Sequence, residues 1–401
     1  MSGHRRLRGA ILIAALVCGG FGIGVSEFIV MGLLPQIAAD LLPTLYASRP
    51  EAALAASGGL ASAYALGVVA GMVSTPIVIR RLSERGALLV CAGGMLLFTV
   101  LTAFAPSLPV ALALRFLAAL THASFIGVGA MAVAHMLGHT RYGRGSAIVH
   151  GGLAAANLLG VPVLTAMGQA ADWRLIVGGA SLLFAVPCVA LLCVAPPAGA
   201  AYEPGAAVGG RRPAPGLFVL GAAAVLVAAS GFAVVTYVAP VIGWVQGGGG
   251  PLTTAWAMLA FGIGMNLGNF GAGWLADRAA VAAFWVAGGA GAVGACLLLV
   301  PGIGWAGAAS GLLLIGAMLG GGSPAGQVLF LRELRRFPRL ASSMPSGTAN
   351  LGSFVGSLAG AGLLAGVGPG ALPYGALGLL GIGLLLFAVR GIRGPFFGAD
   401  R

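Results

Sequence analysis

Long apolar runs recur along the whole chain, and short segments that carry arginine, proline and acidic residues separate them. A helix needs about 20 mostly apolar residues to cross the hydrocarbon core of a bilayer. By this measure the sequence predicts twelve transmembrane helices and hence an all-α membrane protein. The predicted spans are 9–34, 57–79, 87–105, 108–137, 146–169, 174–195, 215–245, 252–276, 280–300, 303–331, 340–366 and 370–390.

The composition agrees with this pattern. Of the 401 residues, 59% are hydrophobic and 7% are charged, whereas soluble domains carry about 25% charged residues. Many of the 70 glycines lie inside Leu-, Val- and Ala-rich runs, where small residues let helices approach closely. The five cysteines form no CxxC pair and have no histidine at metal-ligand spacing. We therefore expect neither a disulfide framework nor a metal site.

The arginines indicate the topology. The formal net charge is +12, and all 21 basic residues are arginine. A cytoplasmic N-terminus places 18 of these 21 residues in the cytoplasm, with Arg49 and Arg174 outside and Arg115 within a span. Because cytoplasmic loops carry an excess of basic residues, this separation predicts a multi-pass protein of the inner membrane with both termini cytoplasmic. Charge in short clusters between apolar runs does not suggest a nucleic-acid partner.

A segment rich in proline, glycine and alanine divides the chain. Residues 196–214 contain no apolar run, and they predict a cytoplasmic linker between two bundles of six helices. The N-terminal bundle would comprise residues 1–195 and the C-terminal bundle residues 215–401.

An internal repeat supports two pseudo-symmetric six-helix bundles. The tripeptide Ala-Asn-Leu around Asn157 recurs around Asn350, which is 193 residues later (157 to 350). The acidic–Arg pair that begins at Glu84 recurs at Asp277 with the same spacing (84 to 277). Six-helix halves related by an axis along the membrane normal are a transporter architecture.

Glu27 is the only acidic residue within a predicted span, and Arg115 is the only arginine in the interior of one, since Arg174 and Arg390 lie at span ends. At 1.5 Å per residue, both lie roughly 10 Å from the outer ends of their helices, which allows a pair, direct or through water. In one interpretation Glu27 is a structural hydrogen-bonding residue and Arg115 extends outward. In the other, which we favour, Glu27 is a protonatable carboxylate beside a movable cation.

The second half lacks this carboxylate. Matching Pro35 with Pro240, a spacing of 205 residues (35 to 240), places Phe232 at the position that corresponds to Glu27. We therefore expect any proton coupling to be confined to the first six helices.

His122 follows Arg115 by two helical turns and lies on a similar face of the helix. It either relays protons or lines a cavity, or it is a core residue with its hydrogen bonds satisfied; both alternatives stay open. Three further histidines are expected at the cytoplasmic interface, namely His135, His139 and His150.

The fifth span contains a proline among glycines. Pro162 removes a backbone hydrogen bond and bends a helix, and Gly152, Gly160 and Gly168 would let a neighbouring helix approach closely. We expect a hinge or a tight interdomain seam at Gly160 and Pro162, with ordinary packing as the alternative.

Two charge pairs at cytoplasmic helix ends are candidates for gating. They are Glu84 with Arg85 and Asp277 with Arg278. An acid at this position can cap a helix and bind an arginine in one conformation only. The alternative is a charge cluster that only sets topology.

Candidate residues for the substrate cavity are apolar and amide side chains within the spans. They are Phe28, Met31, Phe125, Asn157, Tyr237, Asn266 and Asn350. The sequence contains no Walker A lysine and no HExxH motif, so we expect neither an enzyme nor transport driven directly by ATP. The expected energy source is the proton gradient, without a bound cofactor.

Several motifs resemble one transporter family. They are SEFIVMGLLPQIAADL (26–41), RFLAALTHASFIGVGA (115–130), GRGSA followed by ANLLGVP (143–162), DWR (172–174) and GWLADR (273–278). On these stretches the chain resembles the major facilitator superfamily. More narrowly, it resembles the twelve-helix drug:proton antiporters of the arabinose-efflux-permease and chloramphenicol-resistance type. The chain departs from the family pattern at Glu84, where aspartate is usual, and at Val161, which separates a Gly-Pro pair. The resemblance implies that Glu27 and Arg115 take part in proton coupling and that the substrates are exported.

Together these features predict a proton-coupled secondary efflux transporter that works by alternating access. It would export small apolar or amphipathic compounds, such as a drug or a chloramphenicol-like antibiotic. The alternative is a sugar or metabolite efflux permease of the same fold, and a membrane enzyme or a passive channel is a more distant one. The expected partners are the small-molecule substrate, protons and the lipid bilayer. We expect a monomer, because glycine stripes such as Gly352, Gly356 and Gly360 can serve internal packing.

Overall fold

In the computed structural model, every regular element of the described residues is helical. These residues are 3–79, 81–137, 142–168, 170–194, 215–247, 251–300, 302–334 and 338–393. The helices are α1 (Gly3–Gly32), α2 (Leu34–Leu41), α3 (Pro43–Ser48), α4 (Pro50–Ile79), α5 (Glu84–Ala103), α6 (Leu108–Ala119), α7 (His122–Leu137), α8 (Tyr142–Ala155), α9 (Val161–Gly168), α10 (Trp173–Cys193), α11 (Pro215–Val235), α12 (Val238–Gln246), α13 (Pro251–Leu298), α14 (Gly304–Glu333), α15 (Pro338–Gly366) and α16 (Ala371–Arg393). A π-helical turn, Ala156–Gly160, connects α8 to α9.

As far as the structure describes the chain, its helices account for twelve membrane spans, six in each half. Four spans consist of two consecutive helices: α1 with α2, α6 with α7, α8 with α9, and α11 with α12. Within the described residues, 11 helical segments are long and apolar enough to cross a membrane. One of these segments lies in α13, which contains two spans because Ala279 has a non-helical backbone (φ −148°, ψ 73°). The predicted all-α membrane fold is confirmed.

The loop after the first span contains more helix than the apolar pattern predicts. The helix α3 lies in this loop, and α4 begins at Pro50 although the predicted span begins at residue 57. Proline suits the first turn of a helix, where its missing N–H would have no partner, and Glu51 next to it interacts favourably with the helix dipole. Local capping therefore sets the start of α4, and the apolar run does not.

The chain divides into two compact units. As far as the structure describes these ranges, the first unit comprises Met1–Leu42 and Ala63–Ala206, and the second comprises Pro43–Ser62 and Ala207–Arg401. The helix α4 thus contributes residues to both. The predicted linker, 196–214, lies outside the described residues, and the predicted domain limits stay a prediction.

The first and seventh spans are interrupted at corresponding points. Leu33 leaves helical geometry (φ −103°, ψ 9°) before α2, and Tyr237 does so (φ −113°, ψ 36°) before α12. Pro35 and Pro240 follow these breaks within the next turn. Because proline lacks a backbone N–H, each interrupts the hydrogen bonding of the preceding turn.

One glycine contact is repeated in both units. A Cβ atom at Gly71 of α4 would collide with the carbonyl group of Leu120, and one at Gly264 of α13 would collide with that of Leu313. Both residues of the contact recur at the spacing of 193 (71 to 264 and 120 to 313). Within each unit, the second span of the six therefore packs directly on the backbone of the fourth.

Glycine stripes on the fifth and eleventh spans serve packing within their own units. The described neighbours of Gly152, Gly160 and Gly168 lie at or just after α1, and those of Gly352, Gly356 and Gly360 belong to α11 or the turn after it. Small residues allow this approach of two backbones. The helix that the fifth-span glycines admit thus belongs to the same unit.

A polar cluster joins the helix ends at one side of the first unit. Asp172 caps α10 by accepting a hydrogen bond from the backbone N–H of Arg174 (2.9 Å). The guanidinium of Arg174 donates to the carbonyl oxygens of Ala103 and Ala105, both at 2.9 Å. It also forms an ion pair with Asp40 at 2.8 Å. These bonds tie the first, third and sixth spans together.

We expect Arg174→Ala to destabilise the protein by about 1 to 3 kcal/mol, since carbonyl groups lose a charged donor. Asp40→Asn should cost less than about 1 kcal/mol, because exposed ion pairs contribute little and the Asp40 side chain is 44% exposed. Asparagine also keeps an oxygen that can accept from the indole N–H of Trp173 (3.0 Å). Thermal unfolding in detergent measures both variants, and equal losses would contradict the dominance of the carbonyl contacts.

Candidate functional site

Glu27 is accessible although the rest of its helix segment is buried. From Gly22 to Leu34, a stretch that the structure describes completely, every residue except Glu27 is buried. Its neighbours Ser26 and Phe28 are 4% and 2% exposed. Glu27 is therefore the one residue of this stretch that is not fully buried, on a helix segment that is otherwise packed within the protein.

Arg115 lies beside Glu27 and binds the preceding residue. Its side chain is buried, and its two terminal nitrogens donate to Ser26: Nη1 to the hydroxyl oxygen (2.9 Å) and Nη2 to the backbone carbonyl (2.7 Å). The third nitrogen, Nε, has no partner among the described residues. Arg115 is thus held on α1 at the depth of Glu27.

Tyr64 of α4 connects Arg115 to His122. The guanidinium carbon of Arg115 lies 4.3 Å from the centre of the Tyr64 ring, a cation–π geometry. The Tyr64 hydroxyl is 3.2 Å from Nδ1 of His122, and both of these side chains are buried. Polar groups from the first, second and fourth spans therefore form one chain of contacts.

The fourth span is interrupted between Arg115 and His122. The helix α6 ends at Ala119 and α7 begins at His122. The hydroxyl of Thr75 donates to the carbonyl of Leu120 at 2.6 Å. In the lipid interior a backbone carbonyl freed from a helix needs a replacement donor. Arg115 and His122 thus lie in different helices, and Tyr64 contacts both.

Glu27 and Arg115 do not form a direct ion pair in this structure. Where both partners are described residues, the ion pairs are Glu84 with His135 and Asp40 with Arg174. The charges of Glu27 and Arg115 are nevertheless close enough to interact. The two terminal nitrogens of Arg115 instead donate hydrogen bonds to Ser26. The carboxylate of Glu27 is therefore not bound directly by the guanidinium.

The second unit replaces this polar cluster by apolar residues. At the spacing of 205 for the first span and 193 for the others, the residues that correspond to Ser26, Glu27, Tyr64, Arg115 and His122 are Gly231, Phe232, Ala257, Ala308 and Ile315. All five are buried. At these five described positions the polar cluster is therefore not repeated, although the glycine–carbonyl contact is.

The fifth span contains its π-helical turn at the predicted hinge. Gly160 ends the turn, and the backbone N–H of Val161 donates to the carbonyl of Ala156, five residues earlier. Pro162 follows and has no N–H to donate. Asn157 lies within the turn, and its side-chain oxygen has no partner among the described residues. Single π turns inside α-helices are frequent at functional sites.

The other predicted cavity residues are mostly buried in this conformation. Phe28, Met31 and Phe125 are at most 2% exposed, and Tyr237 is fully buried with its hydroxyl donating to the carbonyl of Ser357 (2.8 Å). Their assignment to the cavity stays a prediction. Two amides complete the set: Asn350 is buried, Asn266 is partly exposed, and each donates to a carbonyl in its own helix.

At the start of α5, Glu84 and Arg85 have different partners. Glu84 forms a hydrogen bond with His135 at 3.0 Å, and Arg85 donates to the carbonyl oxygens of Leu191 and Leu192 (2.6 and 2.9 Å) at the end of α10. This pair therefore joins the third span to the fourth and the sixth.

The corresponding pair in the second half is exposed. Arg278 donates to the carbonyl of Trp274 at 2.9 Å and lies 4.1 Å from the centre of its ring, and Asp277 is exposed next to it. The gating roles of both pairs stay predictions. His139 lies outside the described residues.

Comparison with known proteins identifies the family. A sequence model of the Major Facilitator Superfamily matches residues 16–343. The chain belongs to the major facilitator superfamily. This confirms the resemblance inferred from the motifs, and it makes the protein a multi-pass membrane transporter.

Two major facilitator relatives match nearly the whole chain. The "Inner membrane transport protein YdhP" of Escherichia coli (strain K12) is 30% identical over 397 residues, which is 96% of each chain. The "Chloramphenicol resistance protein" of Streptomyces lividans is 31% identical over 398 residues, which is 94% of each chain. The crystal structure of the human organic anion transporter MFSD10 shares the fold, with a TM-score of 0.68 at 16% identity over 95% of this chain and 99% of that chain.

Sequence reasoning missed two residues of the cluster. Ser26 precedes Glu27, and Tyr64 is the tyrosine of the predicted second span. A buried tyrosine generally has a partner for its hydroxyl, so Tyr64 carried a signal. Its partners could not be inferred, because they depend on which faces of three helices meet.

Proposed function

We propose that this transporter exchanges protons inward for small apolar or amphipathic compounds outward across the inner membrane. The observation that carries the proposal is Glu27, the one partly exposed residue of an otherwise buried stretch, which lies beside the buried cation Arg115. An ionisable residue at this depth is costly to retain and is usually functional. Glu27 would take up a proton in the outward-facing state and release it in the inward-facing state.

Arg115 and His122 would assist this proton exchange. Arg115 would influence when Glu27 ionises, because their charges interact, and His122 would exchange protons through the hydroxyl of Tyr64. Substrate and proton would be exchanged by alternating access, as in transporters with internal repeats. No cofactor is needed, since the proton gradient supplies the energy.

The substrate class rests on composition and on one relative. The midmembrane side chains are mostly apolar, which suits a drug-like compound better than a sugar with many hydroxyls to satisfy. The relative from Streptomyces lividans is named for chloramphenicol resistance, so chloramphenicol is the first compound to test. We further propose a monomer with both termini in the cytoplasm.

We expect chloramphenicol uptake into inverted vesicles that contain the protein and have an acidic lumen. The vesicles come from a host that lacks its own efflux pumps, and respiration acidifies the lumen. Nigericin, which collapses the pH gradient, should abolish the uptake. Radiolabelled chloramphenicol measures it, and vesicles without the protein are the control. Uptake that survives nigericin would contradict proton coupling.

A further inference from the structure

We propose that Tyr64 is a positioning residue that holds Arg115 on Ser26 and so prevents a direct ion pair between Arg115 and Glu27. This inference rests on the proposed proton coupling at Glu27. The Tyr64 ring covers one face of the guanidinium at 4.3 Å, and Ser26 binds the two terminal nitrogens. Arg115 is thus fixed from two sides, and neither side is Glu27.

The position of Tyr64 is itself fixed. The residue packs with Val68 of the same helix and Ala119 of α6, and its hydroxyl contacts Nδ1 of His122 at 3.2 Å. Three elements therefore determine where the ring lies. A ring that is already fixed holds a cation more effectively than a flexible side chain does, because the ring loses less conformational entropy when the contact forms.

The cation has an alternative partner nearby. Glu27 follows Ser26 directly, and its charge already interacts with that of Arg115. If the ring were absent, the guanidinium would lose its cation–π contact and gain space to turn toward the carboxylate. An ion pair with Arg115 would stabilise the charged form of Glu27 and hinder its protonation.

Among the described charged groups of these helices, Arg115 is the one whose guanidinium lies over the Tyr64 ring. The titratable groups that interact in this cluster are Arg115 on α6, Tyr64 on α4, His122 on α7 and His150 on α8. At the membrane ends, Asp40 is paired with Arg174 and Glu84 with His135. The remaining groups with described side chains on α1, α4 and α10 are exposed Arg8, the thiols of Cys18, Cys188 and Cys193, and the exposed carboxylate of Glu51. Arg115 is therefore the cation that Tyr64 can direct toward or away from Glu27.

The test is an infrared pH titration of the purified protein in lipid. The signal of the protonated carboxyl group is assigned to Glu27 by its absence in Glu27→Gln. In Tyr64→Leu we expect the pH midpoint of the Glu27 signal to move toward acid by about one unit or more, because the charge of Arg115 would then face the carboxylate. Tyr64→Phe keeps the aromatic face and should restore most of the wild-type midpoint.

Ser26→Ala is a second variant, and it weakens the hydrogen bonding that holds Arg115 on the side opposite the Tyr64 ring. It removes the hydroxyl acceptor and leaves the carbonyl acceptor, so we expect a smaller shift in the same direction. It also tests the proposal if Tyr64→Leu does not fold. An unchanged midpoint in a folded Tyr64→Leu variant would overturn the proposal. If Tyr64→Leu does not fold, an unchanged midpoint in Ser26→Ala would do so. Equal shifts of the midpoint in Tyr64→Phe and Tyr64→Leu would also overturn it.

The transport assay separates this proposal from the proposed function. If the midpoint moves as expected while chloramphenicol uptake survives nigericin, the positioning role stands and proton coupling fails. If uptake requires the pH gradient while the midpoint does not move, only the positioning role fails. A shift of the transport rate toward a more acidic lumen in Tyr64→Leu would support both.

Discussion

Glu27→Gln should reduce pH-driven chloramphenicol uptake in inverted vesicles to the level of vesicles without the protein. Glutamine has nearly the shape of glutamate and keeps an oxygen acceptor, but it cannot take up and release a proton. Glu27 is the only residue between Gly22 and Leu34 that is accessible in this fully described stretch. No neighbouring carboxylate in that stretch can therefore replace it.

The same variant should retain exchange that needs no proton. We expect counterflow of labelled against unlabelled chloramphenicol to persist in Glu27→Gln, since the fold and the apolar residues around the site are unchanged. The matched control is Glu51→Gln, which changes an exposed carboxylate at the start of α4 and should transport like the wild type. Undiminished pH-driven uptake in Glu27→Gln would refute the coupling role.

Gly71→Ala and Gly264→Ala should each lower the stability of the protein. Alanine favours a helix over glycine by about 1 kcal/mol, so stabilisation would be expected from local preference alone. At both positions, however, the added Cβ would collide with a backbone carbonyl, that of Leu120 or Leu313. Backbone cannot turn aside as a flexible side chain can, and overpacking costs about 1 to 3 kcal/mol. The steric cost should exceed the gain.

Two other glycines are matched controls for this prediction. Gly93 of α5 and Gly289 of α13 have open space where a Cβ would lie. Gly93→Ala and Gly289→Ala should therefore leave the unfolding temperature in detergent unchanged or raise it. If all four variants unfold at the same temperature, the glycine–carbonyl contacts do not determine how these spans pack.

The apolar pattern predicted the spans well, because lipid leaves the backbone few choices. Each buried N–H and C=O must be paired within the membrane, and a helix does this without help from other segments. The breaks were less predictable. Pro35 and Pro240 marked those of the first and seventh spans, whereas the break after Ala119 in α6 has no proline to announce it. There, donation from Thr75 replaces the missing bond to the Leu120 carbonyl.

For the charged residues, too, the sequence predicted one part of the site and not the other. Glu27 and Arg115 stood out in the sequence because a lone ionisable residue in an apolar span is rare. Their partners did not stand out. Serine and tyrosine are ordinary in such spans, and the second-unit residues Phe232 and Ala308 occupy the corresponding places without any polar function.

The sequence by itself determined that the chain crosses the membrane as two sets of six helices, that it has one carboxylate and one arginine at matching depth, and that glycines allow close packing. These properties depend on local composition and on the thickness of the bilayer. Only the tertiary structure decided that Arg115 binds Ser26 and Tyr64 and does not pair with Glu27. The physical reason is that a long side chain bonds to whichever groups the packed neighbouring helices bring within its reach.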